Sequence, residues 1–392
     1  MKAHAAQALQ RVVDVVVTKY FSVFVITLCC ASTSSIYAAI LPVDRADLLY
    51  HSYDGGGVEV NGPSLLVRKS IGDSFSVSGN YYIDNVSSAS IDVITTGASP
   101  YTEQRTETSL SLDYLRDKVI MSAGYTSSVE SDYDAKTGFF SISQDMFGDL
   151  TNVALSYSQG DNIVRANTNP DFEDYANTRS YRIGLSQVIT KNMILGAVFE
   201  TMADEGYLNN PYRSVRIEGG ISEPEVYPRT RTSNAGSMRL RYYLPYRAAI
   251  YGGFRIFSDS WGINATDYEI GYTQPMWEKW LFDIKFRTYS QNNATFYNDL
   301  FPDTSQNFKA RDKELSTFDS QTIGFEASYD FINNGWGFID KAGATLAYDL
   351  IFFDYKDFRD ARYSQSGEYA VGEEPFYSFS ANVVRLFVSV WY

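Results

Sequence analysis

The sequence predicts an all-β chain: a transmembrane, antiparallel, up-and-down β-barrel of about sixteen strands, with short turns on one rim and long loops on the other. Three observations predict it. Apolar and polar residues alternate with period two along most of the chain. Connections between these runs alternate between two or three residues and much longer stretches. The chain is 16% aromatic, with 31 tyrosines, and after its first 39 residues no segment is apolar enough for a membrane helix.

The leader comes first. Residues 1 to 39 carry Lys2, Arg11 and Lys19, then the apolar run YFSVFVITLCCA from Tyr20 to Ala31, then STSSIYAA. Basic, apolar and small segments in that order predict a secretory signal peptide, cleaved after Ala38 or Ala39. The apolar run is too short for a spanning helix, which needs roughly 20 residues. Leu28 before Cys29 is not the small residue a lipoprotein signal requires. Cys29 and Cys30 are the only cysteines, so residues 40–392 have no disulfide and no thiolate metal site. Removing the leader moves the formal charge from −14 to −16, which argues against nucleic acid as a partner. No composition break divides residues 40–392, which are read as one barrel.

Strand after strand then separates into two faces. In WLFDIKFRT, Trp280, Phe282, Ile284 and Phe286 oppose Asp283, Lys285 and Arg287. Met238, Leu240 and Tyr242 oppose Arg239 and Arg241; after a turn at Pro245, Tyr246, Ala248, Ile250, Phe254 and Ile256 oppose Arg247, Arg255 and Asp259. Ile323, Phe325, Ala327, Tyr329 and Phe331 oppose Glu326 and Asp330, and Leu346, Tyr348, Leu350 and Phe352 oppose Lys341 and Asp349. In a soluble sandwich the charged face meets solvent. In a barrel across lipid it lines the lumen.

Turn lengths favour the barrel. Short turns are expected at 71–73, 116–118, 148–150, 190–192, 244–246, 274–278 and 333–338. Long loops are expected near 87–102, 163–177, 204–228, 293–316 and 356–375. Seven hairpins and a terminal strand make fifteen, and a bacterial single-chain barrel is even-numbered. The missing strand is ADLLYHSY (Ala46–Tyr53), followed by the tight turn DGGG. Fourteen strands is the fallback if that stretch sits in the lumen. Pro63 marks the weakest point of the count.

The last residues, ANVVRLFVSVWY, place Leu386, Val388, Val390 and Tyr392 on one face and Arg385, Phe387 and Trp391 on the other. A bare apolar strand would be an aggregating edge in a soluble domain, and closure onto the first strand removes it. The ending also resembles the terminal recognition strand of bacterial outer-membrane barrels, which implies the barrel-assembly machinery as a partner, along with outer-membrane lipid and lipopolysaccharide.

Chemistry has little to work with. His51 is the only histidine after the leader, and with no cysteine the nucleophilic schemes reduce to one position. Its expected role is a hydrogen bond near the barrel seam, so no catalytic residue and no enzymatic activity are assigned. ESDYDA (Glu130, Asp132, Asp134) and NPDFEDYAN (Asp171, Glu173, Asp174) place carboxylates in outer loops; neither has the spacing of a dedicated calcium loop, and no metal or other cofactor is assigned. The informative set is the lumenal charge cluster Arg239, Arg241, Arg247, Arg255, Asp283, Lys285, Arg287, Glu326, Asp330, Lys341, Asp349 and Arg385. Behind lipid these charges need a wet lumen or mutual pairing. The arginines from 239 to 255 suggest a local field for anions.

LPVDRADLLYHSYDGGGVEVNGPSLLVRKS, LNNPYRSVR, EVYPRTRTSNA, LFPDTSQNFKARDKELSTFDS and LFVSVWY resemble the DUF3570 family of bacterial exported proteins, with the likeness running from Leu41 to Tyr392. The resemblance implies an outer-membrane protein, often encoded beside a thioredoxin-like protein, a lipoprotein-like protein and a flavin transferase; it supplies no catalytic residue. The Arg- and Asp/Glu-rich stretches YPRTRTSNA and ARDKELSTFDS suit loops that fold into the barrel mouth or dock a partner, although a solvated loop suits them as well.

Two functions follow as expectations. One is a porin-like channel or transporter for a small polar or anionic solute. The other is a non-conducting scaffold for a periplasmic or surface partner, in a redox- or flavoprotein-linked envelope pathway. Both put residues 40–392 in the outer membrane of a Gram-negative cell. Fractionation of an expressing cell is expected to return the polypeptide with the outer membrane; recovery as a soluble periplasmic protein refutes the assignment.

Overall fold

The structure, a computed structural model, describes residues 40–88 and 101–392. The leader, and most of the loop expected near 87–102, lie outside the described residues. The strands are β1 (Arg45–Gly55), β2 (Val58–Ile71), β3 (Phe75–Ser88), β4 (Tyr101–Arg116), β5 (Val119–Val129), β6 (Tyr133–Met146), β7 (Thr151–Ala166), β8 (Asn169–Thr190) and β9 (Met193–Gly206). They continue with β10 (Ser214–Ile217), β11 (Ile221–Pro224), β12 (Thr230–Tyr243), β13 (Ala249–Asp259), β14 (Asn264–Met276), β15 (Trp280–Gln291), β16 (Phe318–Ile332), β17 (Lys341–Arg359) and β18 (Phe376–Trp391). A single turn of helix, α1 (Arg362–Gln365), precedes β18.

All of these except β10 and β11 pair with their chain neighbours in one closed antiparallel barrel, and β10 and β11 form a separate hairpin between β9 and β12. The barrel therefore has sixteen strands, as the parity argument expected. ADLLYHSY lies within β1, and the turn after it is made by Gly56 and Gly57 at φ 61° and 78°, a backbone region open to glycine. Closure runs from Arg45 opposite Trp391 to Gly55 opposite Ala381. A Cβ on Gly55 would lie 2.3 Å from that of Ala381, so glycine lets the two seam strands meet at their tops. Pro63 interrupts only locally. The β2–β3 ladder passes from Asn61–Asn85 to Ser64–Tyr82 without a change of register, and the side chain of Pro63 faces outward.

The direction of the apolar rows separates a membrane barrel from a sandwich. Leu110, Ile270 and Ile284 are 61%, 63% and 53% exposed on the outer surface. In a sandwich those rows would form the dry core. Every strand in the wall instead has a paired neighbour on both sides, the condition for crossing lipid.

Seven short turns, at 72–74, 117–118, 147–150, 191–192, 244–248, 277–279 and 333–340, share one rim. Exposed Phe147, Tyr246, Trp277, Trp336 and Phe338 give that rim an aromatic belt. The opposite rim carries the long connections 207–229, 292–317 and 360–375, but its turns at 56–57, 130–132, 167–168 and 260–263 are short. The long loop expected near 163–177 is therefore corrected. β7 and β8 continue as a ladder to Arg165 opposite Glu173, with Pro170 at the start of β8, where a missing N–H costs little. Arg247 is also corrected. It sits at φ 68° in the Leu244–Ala248 turn, exposed on the short-turn rim and off the lumenal wall.

Ile284→Arg places a charge on the apolar band of β15. Refolding into lipid vesicles is expected to lose roughly 2–4 kcal/mol if the site lies at the bilayer midplane, less nearer a rim. An unchanged denaturant midpoint refutes the outward assignment.

Candidate functional site: a charge-paired lumen under a packed mouth

On β12 to β18 the period-two rule puts one ionisable row inside. Lys285 lies 2.9 Å from Asp349, and Arg385 hydrogen-bonds the other oxygen of the same carboxylate. Arg287 is hydrogen-bonded to Asp267, and Arg239 donates to Glu269 at 2.5 Å while lying over the Tyr251 ring. Asp283 accepts from Tyr251 Oη at 2.9 Å and from Thr273 Oγ1 at 2.6 Å. Nearer the short-turn rim Lys341 meets Asp330 at 2.9 Å and stands over Trp391. Glu326 lies opposite Asp283 on the next strand, in the field of Arg385 and Lys285. Arg241 and Arg255 form no ion pair or hydrogen bond among the described residues. Of the cluster read from the sequence, Arg247 lies off the lumenal wall, and Arg241 and Arg255 share the inward row without joining its pairs.

Asp267 and Glu269 were missed. They occupy the lumenal positions of β14, and the alternation in NATDYEIGYT was the available signal. Their presence nearly balances the cations, so the wall is a set of cross-strand pairs and the anion field expected from the arginines is weakened. Across the lumen, β3 to β7 present small hydroxyls such as Ser78, Ser111 and Ser122 among fewer charges, and Ser122 donates to Asp113.

His51 points inward from β1 at the seam, opposite Arg385 of β18. Its Nε2 lies 2.7 Å from Asp84 Oδ1 and 3.1 Å from Tyr82 Oη, and its ring stacks on Tyr82. Both the imidazole and the carboxylate are buried, at 2% and 3% side-chain exposure. This is the hydrogen-bonded seam histidine expected from the sequence.

The outer half of the lumen carries an apolar layer. Inward-facing Tyr53, Phe353, Tyr355, Phe379 and Tyr377 meet Ala294, Tyr297, Ala310 and Leu315 from the 292–317 loop in one apolar cluster. The cluster also takes in Tyr227 and Leu208 from the 207–229 loop and reaches Val164 and Ala176 on β7 and β8, so it spans the mouth. Aromatic residues on the upper inward positions give the loops something to pack against.

Arg311 stitches this plug together. Its backbone N–H donates to Glu225 Oε1 at 2.7 Å, its Nε donates to Asp299 Oδ1 at 3.0 Å, and its guanidinium donates to the Arg359 carbonyl and covers the Phe358 ring. Arg213 pairs with Asp312 at 3.2 Å, and Arg216 holds Glu374 in a two-pronged contact. The three long connections are thereby cross-linked by buried ion pairs. Burial pushes Glu225 up to about 7; Asp312 adds to the rise, while Arg213 and the Tyr227 hydroxyl oppose it. Burial also works against ionised Glu374, but hydrogen bonds from Arg216 and Ser364 hold it down at about 2.

The two acidic runs part company. Asp134 pairs with Arg165, which also holds Glu173, and Asp174 is gripped by Arg229. Asp132 is fully buried in the β5–β6 turn and accepts from Tyr212 Oη. Burial pushes its carboxyl up to about 6 against that hydrogen bond.

Residues 84–339, well over half of the chain, match the family described as Protein of unknown function (DUF3570). The chain belongs to this family. The DUF3570 match is narrower than the likeness read from the sequence: the stretch from Leu41 to Ser70 and the LFVSVWY ending lie outside it, whereas the three loop motifs lie within. No curated protein matches. Among solved structures, a bacterial polysaccharide outer membrane secretin is similar at TM-score 0.51 and 7% identity, over 88% of this chain and 98% of that one. The outer membrane protein opdK of Pseudomonas aeruginosa gives 0.41 at 10% identity, over 90% and 99%. A FadL homologue of Pseudomonas aeruginosa gives 0.42 at 10%, over 89% and 90%. At such identities the likeness concerns the fold, which is that of an outer-membrane β-barrel.

A carboxyl whose value rises on folding stabilises the fold below its unfolded range, and that contribution is lost as pH climbs through the folded value. For Glu225 the window runs from its ordinary 4.5 to about 7. Hydrogen exchange of the 292–317 loop, corrected for intrinsic rates, is expected to quicken across this window. Asp132 shifts in the same sense, so Glu225→Gln isolates the effect: it should flatten much of the dependence. An unchanged profile in that variant removes Glu225 as the cause.

Proposed function

We propose that this protein resides in the outer membrane, with its short turns in the periplasm, and is closed to diffusion at rest. In this reading it is a non-enzymatic scaffold. Its plug presents an ordered outer surface, and its charge-paired lumen opens toward the periplasm, where a protein partner binds. The observation that carries the reading is the apolar cluster spanning the mouth, because an apolar constriction opposes hydration at that level. The thioredoxin-like and flavin-transferase neighbours implied by the family resemblance make a redox protein the first partner to seek. The outward apolar rows take lipid and lipopolysaccharide, and Leu386, Val388, Val390 and Tyr392 are the strand offered to the assembly machinery. His51 serves the seam and performs no hydrolysis.

A second reading, a gated conduit for a small polar or anionic solute, is favoured by one feature. The plug centre is built of ion pairs, which regain hydration if the loops part. Planar-bilayer recording of the whole protein decides between them. The scaffold reading expects a closed membrane under applied voltage, and steady conductance once residues 294–315 are replaced by a short Gly-Ser linker. Opening of the unmodified barrel by voltage or by a solute supports the conduit, and a permanently open pore refutes the closed barrel.

A further inference from the structure

We propose that Glu103, Glu130 and Asp132 form a binding site for a divalent cation of the calcium type at the long-loop rim. One carboxylate oxygen from each lies within 4.8 Å of the others. Two oxygens that share a calcium ion at about 2.4 Å can be no more than about 4.8 Å apart, so the spacing suits a common ion. The sequence run ESDYDA offered Glu130, Asp132 and Asp134, but Asp134 turns away to Arg165. Its place is taken by Glu103 at the outer end of β4, brought beside the β5–β6 turn by the β4–β5 ladder.

A cluster of carboxylates alone would be a solvated rim. The second observation concerns Asp132, which is 0% exposed. Its Oδ2 accepts from Tyr212, but its Oδ1 is buried with no hydrogen-bond donor among the described residues. A buried carboxylate oxygen without a donor is costly unless a cation meets it. The surrounding donors do not meet that need. The Ser131 N–H and hydroxyl both go to Glu103 Oε1, and Arg105 Nε stands 4.0 Å from Glu130 while its guanidinium bonds Glu107. Arg105 is divided between Glu130 and Glu107, so the carboxylates here keep an excess of negative charge that a divalent ion offsets. Hard oxygen donors and an absence of nitrogen or sulfur ligands favour calcium over transition metals. Tyr212 belongs to the 207–229 loop, so an ion here fixes the turn against which that loop is anchored.

The test is calcium titration of the full chain, refolded in detergent without lipopolysaccharide and stripped with a chelator. Calorimetry is expected to show one saturable site, with a dissociation constant of about 1 mM or tighter, as in extracellular calcium modules. Glu103→Gln and Glu130→Gln should each weaken it at least tenfold. Asp73→Asn, on the opposite rim, should leave it unchanged. Heat-modified electrophoretic migration verifies that each variant is a folded barrel, and the unmodified chain decides the matter if a variant fails to fold. Absence of saturable binding to the unmodified chain, or binding that the folded Glu103 and Glu130 variants keep within twofold, overturns the site.

Discussion

The constraint on which the rest of the structure depends is backbone satisfaction. A strand surrounded by apolar groups has no water to bond its N–H and C=O, and an open sheet leaves two edges bare. Here the last strand pairs with the first along the whole length of β1, and the tops of the seam strands meet because Gly55 carries no side chain. Once the sheet is closed, the pleat assigns every residue to one of two environments. Ile284 faces out and Asp283 faces in because they are neighbours on a strand.

The inward environment is itself divided by height. Toward the short-turn rim the wall residues are ionisable, and they pair across strands: Asp349 serves Lys285 and Arg385 together. Toward the long-loop rim the same inward positions hold Tyr53, Phe353, Tyr355 and Tyr377, and the loops fold down onto them. The plug therefore rests on apolar packing, while Arg311, Arg213 and Arg216 give it a unique arrangement through directional hydrogen bonds. Buried ion pairs of this kind add little net stability, because desolvation offsets their attraction. That division accounts for a barrel with a charged lower interior and loops packed on apolar side chains at its mouth.

Much of this was legible in the residues. Period-two alternation located the strands, and parity supplied ADLLYHSY as the sixteenth. The charge density of YPRTRTSNA and ARDKELSTFDS left loops folded into the mouth and solvated loops equally open; in the structure Tyr227, Ala310 and Leu315 from these stretches join the plug, and β12 begins at Thr230. The misreadings share a cause. Asn167 to Asp174 look like loop because their residue types favour turns, yet strands beyond an apolar band need no apolar face, so β7 and β8 simply continue. Arg247 fits the alternation but sits where the chain reverses, and alternation carries no meaning in a turn. Asp267 and Glu269 obey the rule and show that the same signal, applied to β14, would have balanced the arginine row.

By itself the sequence determined the class of fold, the strand count, the facing of most side chains and the scarcity of catalytic groups, because each of these follows from local periodicity and composition. Only the tertiary structure decided that the loops pack on the inward aromatics, that Glu103 lies beside Glu130 and Asp132, and that Glu225 meets Arg311. Those contacts link residues tens of positions apart. They depend on strand register and on which way a loop turns once the barrel is shut, and neither quantity is encoded in any short stretch of chain.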